Sequence, residues 1–235
     1  MIAIFKRDLK ALYKTPVGYV FSGTLLLLFY VLFYIYNIRT AQTADISVVM
    51  GNLIYWLFLP IPILTMRLMT EEYRQKTDQL LLTAPVSCMS IVMGKFLAGM
   101  ASILITIVLS LAIPIIITIY GELLGWTMIG NYIALIAATS TFLSVALFIS
   151  SLTENLLVSI IANWGIFIAL IYLDDAAALL GNTAIETIIA NISPFTRFQS
   201  FAYGQFSLGD FIYYISVAAL FIFLASRVLE KKRYS

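Results

Sequence analysis

The chain has 235 residues, 62% of them hydrophobic and 11% charged, with a net charge of +2 and no histidine. Soluble domains sit nearer half apolar and a quarter charged, so this composition excludes a soluble fold and leaves one integral membrane domain over 1–235. A single cysteine, Cys88, and the lack of histidine exclude disulfides, zinc sites, histidine-ligated haem and histidine proton relays.

In residues 1–15, Ile2, Phe5, Leu9 and Leu12 recur at helical spacing, while Lys6, Arg7, Asp8, Lys10 and Lys14 take the other positions. That pattern predicts a basic amphipathic helix lying in the membrane interface. Pro16 and Gly18 then break it and turn the chain inward. Apolar runs follow at roughly 17–38, 47–69, 95–120, 130–152, 156–173 and 211–229. Hydrocarbon cannot hydrogen-bond a peptide group, so each run is expected to cross as a helix. The first run is too long for a signal-peptide core and is read as an uncleaved anchor. Pro60 and Pro62 predict a kink or unwinding inside the second span.

Orientation follows from the cations. The N-terminus carries Lys6, Arg7, Lys10 and Lys14; the loop after the second span carries Arg67, Arg74, Lys76 and Lys95; the C-terminus carries Arg227, Lys231, Lys232 and Arg233. These are twelve of the 14 lysines and arginines. Only Arg39 and Arg197 fall on the other side of a six-span thread, so the positive-inside rule puts both termini in the cytoplasm.

The cytoplasmic loop, 70–94, pairs charges at helical spacing: Glu72 with Lys76 and Glu71 with Arg74. A leucine triplet, 80–82, follows, and Pro85 imposes a turn. Ser87 or Ser90 is placed to cap the next helix. A charged stalk ending in an apolar knob suits docking of a cytoplasmic partner. The third span carries Gly94, Ala98, Ser102, Thr106 and Ser110 four residues apart, and the fifth carries Asn155, Ser159 and Asn163. Such stripes bring helices close and let them hydrogen-bond. They read as intramolecular packing, or more sharply as a dimer interface or a substrate path. Asn163 lies deep enough to need a hydrogen-bond partner. Across 174–210, Asp174 and Asp175 are placed to cap a short helix, and two short helices dipping back from outside fit the segment.

No Asp, Glu, Lys or Arg falls mid-span, which argues against proton-coupled transport and intramembrane acid–base catalysis. Gly94 and Lys95 lack the rest of a phosphate-cradling loop, so any ATP must be bound by another chain. A stand-alone membrane enzyme and a structural anchor without transport are the rival readings; the first requires polar clusters at one membrane depth.

Two stretches carry a resemblance. One runs through residues 62–67 (PILTMR), 71–77 (EEYRQKT), 80–87 (LLLTAPVS) and 94–96 (GKF). The other runs through 193–201 (SPFTRFQSF), Gly204, Asp210, Tyr213 and Tyr214 to 229–233 (LEKKR). The chain resembles the permease subunits of ABC-2-type transporters, particularly the gliding-motility-associated permeases. The stalk departs from many relatives in having Lys76 before Thr77. The resemblance implies an all-α integral membrane fold of six spans, with an N-terminal interfacial helix and re-entrant external helices between spans five and six. It implies a multi-pass protein of the bacterial cytoplasmic membrane that is not itself an enzyme and binds no nucleic acid. A second permease, identical or paralogous, would pair with it around a central path lined by spans two and five. A separate ABC ATP-binding subunit, holding ATP and Mg, would dock on the 70–94 loop. Glu71, Glu72, Arg74, Leu81 and Pro85 are then the coupling residues, and export is the expected direction.

Overall fold

A computed structural model describes residues 1–41, 46–74, 86–115, 126–179, 183–202 and 207–234. Every regular element among them is helical. The first is α1, Ile2–Lys14, which ends at an extended Thr15 before Pro16 opens α2, Pro16–Phe33. Proline suits a first helical position because its missing N–H would be unpaired there anyway. The corner is tight. A Cβ on Gly18 would lie 2.8 Å from the Leu12 carbonyl oxygen, which is backbone and cannot swing away. Gly18→Val should therefore cost about 1–3 kcal/mol, read as a lower thermal midpoint in detergent.

A π-helical segment, Tyr34–Ala41, continues α2. The next span is broken into α3, Ile46–Trp56, and α4, Pro60–Thr65, which meet at a bend of 53°. Neither Pro60 nor Pro62 can donate to the carbonyl four residues back. The Trp56 carbonyl accepts instead from Leu59 N–H at 3.2 Å. A second π segment, Met66–Thr70, then leads into α5, Glu71–Arg74. Ser87 caps α6, Cys88–Ser110, by accepting from Ser90 N–H.

The central element is α7, Trp126–Ser151. Ala134, Ala138, Ser144, Ala146 and Ser150 are all fully buried on it, and side chains this small let neighbouring backbones approach. A short apolar helix, α8 (Leu156–Ile171), packs beside it. Three short helices follow: α9 (Leu173–Leu179), α10 (Thr183–Ile192) and α11 (Pro194–Ala202). The last, α12 (Leu208–Tyr234), lies along α7.

Among the described residues, four unbroken helices are long and apolar enough to cross a bilayer: Pro16–Arg39, Cys88–Ile115, Met128–Ser151 and Leu208–Arg233. The bent pair α3 and α4 makes a fifth. At 16 residues, α8 is about 24 Å long, short of a hydrocarbon core of about 30 Å. Among the described residues, three short helices lie between 173 and 202 where the sequence suggests two. In α1 the buried residues are Ile4, Asp8 and Leu12, with Ile4 against Gly94 of α6, whereas of the expected apolar stripe Ile2 is exposed and Phe5 and Leu9 are half-buried.

Candidate functional site

Asp8 sits on the buried face of α1, at the i+4 position between Ile4 and Leu12. Opposite it is Lys95, on the second turn of α6 and only 2% exposed. The Lys95 ammonium reaches three other elements. It donates to Asp8 Oδ2 at 3.5 Å, to the Leu68 carbonyl inside the second π segment at 2.5 Å, and to Glu72 on α5. Arg7 closes the ring from outside, donating to Asp8 Oδ1 at 2.7 Å and to Glu72 Oε1 at 2.5 Å. Partial burial pulls the Arg7 guanidinium down, but the Glu72 and Asp8 carboxylates outweigh it and hold the pKa above its ordinary value. A buried ammonium is tolerated only when its donors are used, and here three acceptors are in reach.

The end of α12 arrives at the same place. Lys232 Nζ lies 3.7 Å from the centre of the Tyr73 ring, and Arg233 donates to the Val86 carbonyl at 3.0 Å. Both ends of the 75–85 stretch are thus tied to the C-terminal helix, while α1 and α6 hold Glu72.

A polar seam runs deeper. Ser150 Oγ donates to Thr65 Oγ1 at 3.2 Å, and Ser159 Oγ donates to Ser150 Oγ at 2.9 Å. Asn163 Nδ2 donates to the Ser159 carbonyl at 2.8 Å and to Ser150 Oγ at 3.4 Å. Thr70 Oγ1 donates to the Ser150 carbonyl at 3.3 Å. The seam joins the lower half of the broken span to α7 and α8.

At the other end of the bundle, Asp174 accepts from Ser193 Oγ at 2.7 Å and Thr196 Oγ1 at 2.6 Å. Arg197 pairs with Asp210 at 2.5 Å and lies 4.5 Å from the centre of the Tyr213 ring. These contacts tie α9 to α11 and α11 to α12. Asp174 was expected to cap its own helix; its carboxylate instead crosses to another.

The profile described as ABC-2 family transporter protein matches residues 2–235. The chain belongs to this family. No curated protein matches it. Members of the ABC-2 family are components of membrane transport that work with ATP-binding subunits, and this one is a multi-pass membrane protein.

In this ABC-2 protein the expected coupling residues fall into two groups. Glu71 and Glu72 are described: Glu71 pairs with Arg67 one turn back, and Glu72 with Arg7 and Lys95. The Arg74 side chain, Leu81 and Pro85 lie outside the described residues, as does Lys76. The fifth-span stripe is not one surface. Asn155 caps α8 by accepting from Leu157 and Val158 N–H, whereas Ser159 and Asn163 are fully buried within this single copy. Asn163 has the expected partner on its nitrogen, yet its buried Oδ1 accepts no hydrogen bond. Half its polar capacity is unused, and hydrogen bonds between membrane helices average only about 0.6 kcal/mol. Asn163→Leu should accordingly change the thermal midpoint in detergent by little, well under the cost of Gly18→Val. The third-span stripe is likewise buried, with Thr106 Oγ1 donating to Ser22 Oγ at 2.8 Å.

Sequence reasoning missed Arg7, Asp8 and Lys95 as a unit. Two signals were present: an acid at the i+4 position between two apolar residues, and a lysine inside an apolar helix directly after a glycine.

Proposed function

We propose that the chain is the permease subunit of an ATP-driven ABC-2 transporter, with six spans and both termini in the cytoplasm of a bacterial inner membrane. A separate subunit binds ATP and Mg and docks on the 70–94 loop. A second permease, identical or paralogous, completes the path, and transport is outward. Segment 174–210 re-enters from outside, and the first helix lies against the cytoplasmic leaflet. The resemblance to gliding-motility-associated permeases gives the subfamily.

The observation that carries this reading is the convergence on Glu72. The stalk meets α1 and α6 through one ion cluster, and α12 grips Tyr73 and Val86 on either side of the loop. A push on the loop has three helices to act on, and rigid elements with two arrangements are how such a push travels. The cations supporting the cytoplasmic assignment belong to the segments that meet here. Beyond the junction, the Thr65, Ser150, Ser159 and Asn163 seam links the broken span to α8, the two elements that the family resemblance assigns to the path.

The test is co-expression with a candidate ABC ATP-binding subunit and purification through a tag on this chain. The expected result is a complex whose ATPase activity depends on the permease. A permease that purifies alone from every such pairing removes the proposal and returns the structural-anchor reading.

A further inference from the structure

The stalk leaves the membrane through a π turn, and one ammonium spans it. Glu71 N–H reaches back five residues to the Met66 carbonyl, so the turn holds one more residue than an α-helix would. Each residue is worth about 100° of rotation, so everything beyond the turn is rotated by that much relative to an unbroken helix. The Leu68 carbonyl lies inside the turn and Glu72 lies just past it. Lys95 bonds both. In an α register the Leu68 carbonyl would instead take the Glu72 N–H. Thr70, the last residue of the turn, is anchored separately to the Ser150 carbonyl.

We propose that Lys95 is a positioning residue for the stalk. It holds the exit of the broken span in the π register, which aims Glu72 inward between Lys95 and Arg7. When Glu72 is drawn off Lys95, the exit relaxes to the α register and residues 72 and 73 swing outward. A cleft of about 240 Å³ lined by Arg7, Leu12, Arg67, Glu71 and Glu72 gives that swing room. Single-turn π segments inside α-helices mark such sites because one residue of slack separates two hydrogen-bonded forms. The purpose of the swing rests on the coupling reading above; its existence does not.

The experiment uses the full-length chain in membranes, with the sole cysteine removed by Cys88→Ser. Tyr73→Cys reports beyond the turn and Leu64→Cys before it; both side chains are buried. Labelling by N-ethylmaleimide is measured with Lys95 intact, with Lys95→Met, and with Met69 deleted so that the extra residue is gone. Both changes should speed labelling at position 73 by about tenfold or more, as expected for local opening, and leave position 64 protected. The deletion needs no change at Lys95, so it reads the register even where the lysine variant folds poorly. Protection of position 73 in either variant overturns the proposal. Parallel labelling of position 64 also overturns it, because the span has then unfolded rather than turned. No nucleotide or partner enters the assay, so its failure is separate from a failure of co-purification.

Discussion

Leu81→Glu should abolish co-purification of the ATP-binding subunit while leaving the chain inserted in the membrane. Leu81 is the middle of three leucines between the charged stalk and Pro85. On the docking segment proposed above, three consecutive apolar side chains suit an anchor seated in a partner's pocket, and a few such anchors carry most of an interface's energy. The substitution removes the anchor and asks the pocket to bury a carboxylate. Burying an unpaired charge costs several kcal/mol, and each 1.4 kcal/mol is about tenfold in affinity, so a loss of about a thousandfold is expected. Spans form from hydrophobic runs elsewhere in the chain, so insertion should not change. The ratio of ATP-binding subunit to permease in a tag pull-down measures the effect. A ratio equal to that of the unaltered chain would remove Leu81 from the interface.

Glu72→Lys should destabilise the permease by about 3–5 kcal/mol, the range for breaking a buried ion pair by removing one partner. The replacement would place a third cation against Arg7 and Lys95, and Lys95 has almost no access to water. Thermal unfolding in detergent reads the loss. The double variant Glu72→Lys with Lys95→Glu should recover little of it, because the new carboxylate would face Asp8 and the Leu68 carbonyl while the new ammonium still faces Arg7. The contrast is Arg227→Gln. Arg227 pairs with Glu230 one turn away, but both are well exposed, 62% and 38%. Exposed pairs contribute about 0–1 kcal/mol, so that variant should be nearly silent. Burial, rather than the number of ion pairs, decides the difference.

The broken span shows how much was legible. Pro60 and Pro62 announced the 53° bend because a missing N–H is a local fact. The cap of α6 was narrowed to Ser87 or Ser90 for the same reason, since a capping side chain acts on the next turn, and Ser87 is the one that caps. The second π segment had no such signal. It is held by Lys95 from 27 residues away and by Ser150 from 80. The fifth-span stripe was legible as buried polarity but not as a division of labour. Asn155 ends a helix, and only Ser159 and Asn163 enter the seam. In α1 the helical period was legible, but the buried face of Ile4, Asp8 and Leu12 was not, because it is offset from the stripe of Ile2, Phe5, Leu9 and Leu12 and carries a carboxylate.

By itself the sequence determined the class of this protein, its apolar runs, the breaks at its prolines and the sorting of its cations into three segments. The runs follow from the cost of bare peptide groups in hydrocarbon, the breaks from a missing N–H and the sorting from the positive-inside bias, and each acts on its own stretch of chain. Only the tertiary structure decided that Asp8, Glu72 and Lys95 meet, that the C-terminal helix reaches both Tyr73 and Val86, and that Asp174 braces a helix other than its own. Those pairings depend on which helix faces which. That is set by close packing summed over the whole bundle, a quantity no single segment carries.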